Sequence, residues 1–150
     1  MPLALDLKKK KNQHKGVIDF PQGLIGFSAV KRYVLIEESS SKRFVWLASV
    51  DRPDLSFLLV DPTTFFEDYA VEINKQDLEL LGSGSVNDAQ VYAIVTLPRN
   101  ASQATVNLKS PIVINVKTCR GMQVVLEQGR YSTQYSLFTE GEPAKQFSKV

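Results

Sequence analysis

The chain is poor in the residues that carry most enzyme chemistry. Its 150 residues include a single cysteine, Cys119, and a single histidine, His14. One cysteine excludes a disulfide scaffold. One cysteine and one histidine cannot make the four-ligand pattern of a structural zinc site. No apolar run approaches the roughly 20 residues of a membrane-spanning helix, so no membrane association is expected. No glycine-rich, phosphate-cradling loop occurs. The start, Met1-Pro-Leu-Ala-Leu-Asp-Leu7, lacks the basic-then-apolar order of a secretory leader, and a cytoplasmic location is expected. The net charge is only +2, and the basic excess is local. Lys8, Lys9, Lys10, Lys11 and Lys15 cluster near the N-terminus, and without them the chain is slightly acidic. A nucleic-acid-binding domain spreads its cations over a face instead.

The remaining chances for catalysis are thin. His14 sits in the polar stretch Lys11-Asn-Gln-His-Lys15, with no apolar wall to tune it. Cys119 precedes Arg120, which could lower a thiol pKa, but no base is identifiable beside it. Ser39-Ser-Ser-Lys42 fits Ser-x-x-Lys but lacks the companion motifs and reads as a hairpin loop. No catalytic residue, metal or cofactor is assigned, and the chain is not expected to be an enzyme.

What is abundant is strand pattern. Tyr33–Glu37, Phe44–Ala48, Ser56–Val60 and Gln90–Leu97 are rich in β-branched and aromatic residues. Ala104–Leu108, Ile112–Lys117 and Met122–Glu127 complete the set, the last two joined by a turn in which Gly121 is expected to supply positive φ. Trp46 alternates with Phe44 and Ala48 and reads as core. One short helix is signalled. Asn74 is placed to cap it, Asp77 follows three residues later, Ile73 and Leu78 form a staple, and Gly82 ends it. Many short strands and one helix predict an all-β, mainly antiparallel fold, a small closed or nearly closed β-barrel with one short capping helix. A single domain over residues 1–138 is expected, with a flexible tail at 139–150.

Several segments together resemble the FliW family of flagellar assembly factors. They are Phe20-Pro-Gln-Gly-Leu-Ile-Gly-Phe27 with Lys31–Ile36; Trp46-Leu-Ala-Ser-Val-Asp51 with Leu55-Ser-Phe57 and Val60-Asp-Pro62; Asn107-Leu-Lys-Ser-Pro-Ile-Val-Ile-Asn115; and Gln123-Val-Val-Leu126 with Arg130-Tyr-Ser-Thr133 and Leu137-Phe138. The resemblance implies a non-catalytic β-barrel in the bacterial cytoplasm. It implies two partners: the translational repressor CsrA, whose repression of flagellin mRNA is relieved, and flagellin itself, which competes.

These segments have physical readings of their own. Gly23 and Gly26 bracket Leu24-Ile25, either as a chain reversal with Phe20 and Phe27 filling the barrel mouth, or as an exposed apolar knuckle that a partner covers. Asp61-Pro62 reads as a turn, and Asn107 and Asn115 as side chains that satisfy backbone groups. Phe65-Phe-Glu-Asp-Tyr69 suits a core lid and an interface rim equally. The candidate partner-contact residues are Leu24, Ile25, Phe27, Glu37, Glu38, Phe65, Phe66, Glu67 and Asp68. The acidic ones could oppose the basic RNA path of the repressor. The competing reading is a nucleic-acid-binding barrel that uses the N-terminal lysines.

Overall fold

Strand alternation sorts the apolar side chains of this chain onto two opposite faces, and closure makes one of those faces a lumen. The computed structural model describes residues 16–37, 43–82, 88–127, 129 and 131–138, together with the backbone of 3–4. The N-terminal lysines, His14, the 38–42 loop, residues 83–85 and the 139–150 tail lie outside the described residues.

The strands are β1 (Leu3–Ala4), β2 (Ile18–Asp19), β3 (Arg32–Glu37), β4 (Phe44–Ser49), β5 (Ser56–Val60), β6 (Glu72–Ile73), β7 (Ala89–Thr96), β8 (Thr105–Asn115), β9 (Arg120–Gln123) and β10 (Tyr135–Ser136). Seven of them close a barrel in the order β8-β7-β5-β4-β3-β2-β9 and back to β8. Every pairing is antiparallel except β2–β9. β10 adds to the first part of β8, and β1 pairs with β6 as a separate ribbon.

The lumen is filled by Ile18, Phe20, Tyr33, Leu47, Leu59, Tyr92, Ile112 and Ile114. Outside the wall a second core joins Leu58, Val60, Val91, Ala93, Val113 and Met122 to Tyr69, Val71, Ile73, Leu81, Leu126 and Tyr131. Strands β5, β7 and β8 are therefore buried on both faces. That is why Leu58-Leu59-Val60, Val91–Val95 and Ile112–Ile114 are unbroken apolar runs rather than alternating ones. Tyr92 carries a hydroxyl into the lumen core. Its hydroxyl donates to Gln90 Oε1 at 3.0 Å, and burial pushes its pKa up to about 12, with Asp61 adding to the rise.

The helix α1 (Lys75–Leu80) forms as its caps predict. Asn74 Oδ1 accepts the Asp77 N–H at 2.7 Å, and Gly82 takes φ +95° after the last turn. Leu78 and Leu80 pack on the outer core, and the Thr118 hydroxyl donates to the Leu81 carbonyl. The helix thus lies beside the turn that closes one barrel end.

Three sequence expectations need correction. Ala104–Leu108 and Ile112–Lys117 are one strand, β8, because a bulge carries the ladder past Pro111: Ile94 pairs with Asn107 and Tyr92 with Ile112, leaving Leu108 to Pro111 opposite Ala93 alone. β9 ends at Gln123 rather than Glu127, although Val124 and Leu126 still donate to the bulge. Positive φ in the turn before β9 belongs to Cys119 (61°), held by Asn115, and not to Gly121. Gly121 is needed for space: a Cβ there would lie 2.5 Å from Phe20 Cζ. The two-residue strands β1, β2, β6 and β10 were not expected.

Gly121→Ala should cost about 2–3 kcal/mol, as overpacking of a filled lumen does. Urea unfolding checks this, and Phe20→Leu in the same chain should recover part of the loss. An unchanged midpoint would show that Phe20 has room to move.

Candidate docking surfaces

The segment between β2 and β3 is built as a braced turn. Gly23 has φ 66° and no room for a Cβ, with the Phe27 carbonyl oxygen 2.6 Å from that position. Gly26 has φ 87° in open space, so glycine serves there by backbone freedom alone. Between them Leu24 is only 2% exposed and belongs to the lumen core, whereas Ile25 is 61% exposed. The exposed-knuckle expectation is thus corrected for Leu24: its side chain turns inward to complete the mouth packing. Phe27 is half-buried, edge-on to Phe57 at 5.4 Å, and Phe20 meets Tyr33 at 5.2 Å. The Gln123 amide then fixes Ile25. Its Oε1 accepts the Ile25 N–H at 2.9 Å, and its Nε2 donates to the Ser110 carbonyl at 3.0 Å. One side chain ties the turn, β9 and the β8 bulge together.

A second surface lies over the outer core. Asp61 Oδ1 accepts from both the N–H and the hydroxyl of Thr63, which starts a tight turn over Pro62–Thr64. The chain then lays Phe65 and Phe66, both half-buried, against Tyr135 at 5.9 and 5.1 Å. Phe66 also meets Tyr131 at 5.6 Å, and Tyr131 meets Tyr69 at 4.6 Å. Burial raises the Tyr69 pKa far above the usual phenol range, and its hydroxyl donates to the Leu108 carbonyl at 2.5 Å. Glu67 and Asp68 are exposed beside this aromatic lid. Glu37 is exposed at the end of β3, and Glu38 lies outside the described residues. Leu24 and Phe27 belong to the lumen packing and Phe65 and Phe66 to the outer packing, so the expected contact residues fall on two separate units.

Asn107 and Asn115 do satisfy backbone. Asn107 Oδ1 accepts from Lys109 and Ser110, and Asn115 Oδ1 from Lys117 and Thr118, at 2.9–3.1 Å. Trp46 packs against the outer core, beside Phe44 and Leu58, rather than in the lumen. It is half-buried on the outer face, between Leu58 and the 50% exposed Ile36. Sequence reasoning also passed over the outward face of β3 and β4, where Val34, Ile36, Trp46 and Ala48 lie outside the lumen set. The signal was available, because β3 is apolar at both parities although only one faces the lumen. At the edge of this face Arg32 grips Asp51 with two hydrogen bonds, 2.6 and 3.1 Å, which holds the Asp51 carboxyl below its ordinary pKa. Among the described residues no three of His, Cys, Asp and Glu gather as metal ligands, and no helix is long and apolar enough to cross a membrane.

The family model described as FliW protein matches residues 6–137. The chain belongs to the FliW family. It is 43% identical over 125 residues to the flagellar assembly factor FliW of Natranaerobius thermophilus, covering 83% of each chain. The corresponding factor of Heliobacterium modesticaldum is 40% identical over 124 residues, covering 83% of this chain and 81% of that one. A crystal structure of the flagellar assembly factor FliW superposes with a TM-score of 0.77 at 32% identity, over 95% of this chain and all of the other. The segments that carried the FliW resemblance now have structural roles: the mouth turn, the β4–β5 wall, the bulge of β8, and the Gln123 brace.

Gln123→Met keeps the side-chain length and removes both hydrogen bonds. Amide exchange at Ile25 should accelerate at least about tenfold, with a global loss of about 1–2 kcal/mol. Unchanged exchange at Ile25 would mean that the turn holds itself.

Proposed function

We propose that this FliW-family chain is a non-catalytic, protein-binding regulator of flagellum assembly in the bacterial cytoplasm. It binds a CsrA-type translational repressor, which relieves repression of flagellin mRNA, and it binds flagellin in competition. Family membership over residues 6–137 is the observation that carries this reading. The relatives' shared description as assembly factors supports a protein-binding role.

The geometry suits such a role. A filled barrel with a braced, exposed Ile25 offers a rigid apolar contact at low entropic cost, because the turn is already ordered before a partner arrives. An amphipathic helix of unassembled flagellin is the occupant assigned to that contact. Glu37, Glu67 and Asp68, with Glu38 beyond the described residues, supply negative charge against a repressor whose RNA-binding surface must be basic. Nucleic acid is not a direct partner in this reading.

Reversal of Glu37, Glu67 and Asp68 to lysine should weaken repressor binding roughly tenfold or more, most at low ionic strength. Ile25→Asp should reduce flagellin affinity by a similar factor while leaving the melting temperature near its starting value, because Ile25 is exposed. Calorimetric titration of the purified proteins measures both. Wild-type affinities in folded variants would displace the contacts, and direct RNA binding with a steep salt slope would favour the nucleic-acid reading instead.

A further inference from the structure

Beyond Gln123 the chain continues as an unfinished strand. The Val124 N–H donates to the Pro111 carbonyl at 2.9 Å and the Leu126 N–H to the Lys109 carbonyl at 2.8 Å. Alternation along such a ladder turns the N–H and C=O of Val125, between them, to the opposite edge. No described residue pairs with them, and the Val125 side chain is 54% exposed. This edge borders a groove of about 380 Å³, lined by Val124, Val125, Leu126 and Glu127 on one side and by Glu72, Asn74 and Asp77 on the other. Among the described residues its three carboxylates have no ion-pair partner, and no Lys or Arg lines it.

We propose that this groove is a β-augmentation site for an extended segment of a partner protein in which Lys or Arg alternates with apolar residues. Main-chain hydrogen bonds to Val125 give the register, an apolar side chain covers Val125, and the cations meet Glu72, Asp77 and Glu127. The charge of the groove selects a basic occupant, and the exposed valine selects alternation. The chain's own Lys8–Lys11 run fits less well, because four consecutive lysines place no apolar residue against Val125. The proposal rests on the protein-binding reading only in taking a polypeptide as the occupant.

A blocked hexapeptide of alternating Lys and Val, titrated into the isotopically labelled full chain, tests it without either proposed partner. Resonances of Val125 and Glu127 should shift, and exchange of the Val125 amide should slow at least about tenfold. The Glu–Val counterpart should not bind. Glu72→Gln with Glu127→Gln should weaken the Lys–Val peptide roughly tenfold while Val125 stays in place. Equal binding of both peptides, or shifts elsewhere only, would overturn the proposal. So would a Val125 amide already protected in the free chain and released when Lys8–Lys11 are replaced by alanine, because the chain would then fill its own groove. If this peptide binds as expected while the repressor and flagellin do not bind at all, the identity of the partners fails and the groove stands.

Discussion

Strand β8 must serve two ladders, and everything else in this barrel depends on how it does so. Its first part pairs with β10 and its second with β9, while β7 runs along both. The change is made in the bulge from Leu108 to Pro111, where regular pairing with β7 fails. Every backbone polar group freed there is satisfied. Leu108 N–H goes to the Ser132 carbonyl, and those of Lys109 and Ser110 go to Asn107 Oδ1. The four carbonyls accept, in order, from the Tyr69 hydroxyl, Leu126 N–H, the Gln123 amide and Val124 N–H. Pro111 is the one residue with no N–H to satisfy. A single unsatisfied buried group costs about 1–3 kcal/mol, against a net stability of about 5–15 kcal/mol for a typical domain. Loss of two of these bonds would be felt throughout.

The same bulge is where the two cores meet the surface. Tyr69 reaches it from the aromatic lid, and Gln123 reaches it from the turn that presents Ile25. The aromatic lid and the exposed turn of this FliW-family chain are thus hung from one joint rather than from independent loops. Lumen packing by Phe20, Tyr33 and Phe57 leaves the wall, not the interior, as the surface that can meet another molecule. Rigidity of that wall keeps the ordering cost of association small.

Much of this was legible in the residues. Asn74, Asp77 and Gly82 announced the helix because capping is local chemistry. Phe44–Ser49 and Ser56–Val60 were readable because β-branched and aromatic density marks strands. The FliW resemblance of Asn107–Asn115 was visible, although its structural meaning, a bulge, was not. Bulges depend on what lies opposite, and nothing in the sequence says that four residues will face Ala93. The same limit hid the burial of Leu24: a Gly-Leu-Ile-Gly turn shows two apolar residues, and only the barrel mouth decides which one points in. Gly121 was noticed for the wrong reason, since Phe20, a hundred residues away, sets its need for space. Two-residue strands such as β2 and β10 carry too few residues for any period to register.

The central claim is that the bulge couples the lid, the turn and barrel closure. Residue-resolved hydrogen exchange on Asn107→Ala tests it most directly, because that change removes the acceptor for Lys109 and Ser110 without touching Ile25. The account predicts that protection at Lys109, Ser110, Val124 and Ile25 falls together by about tenfold or more, while Leu47 in β4 stays protected until global unfolding. Loss of protection confined to Lys109 and Ser110, with Ile25 unchanged, would contradict it.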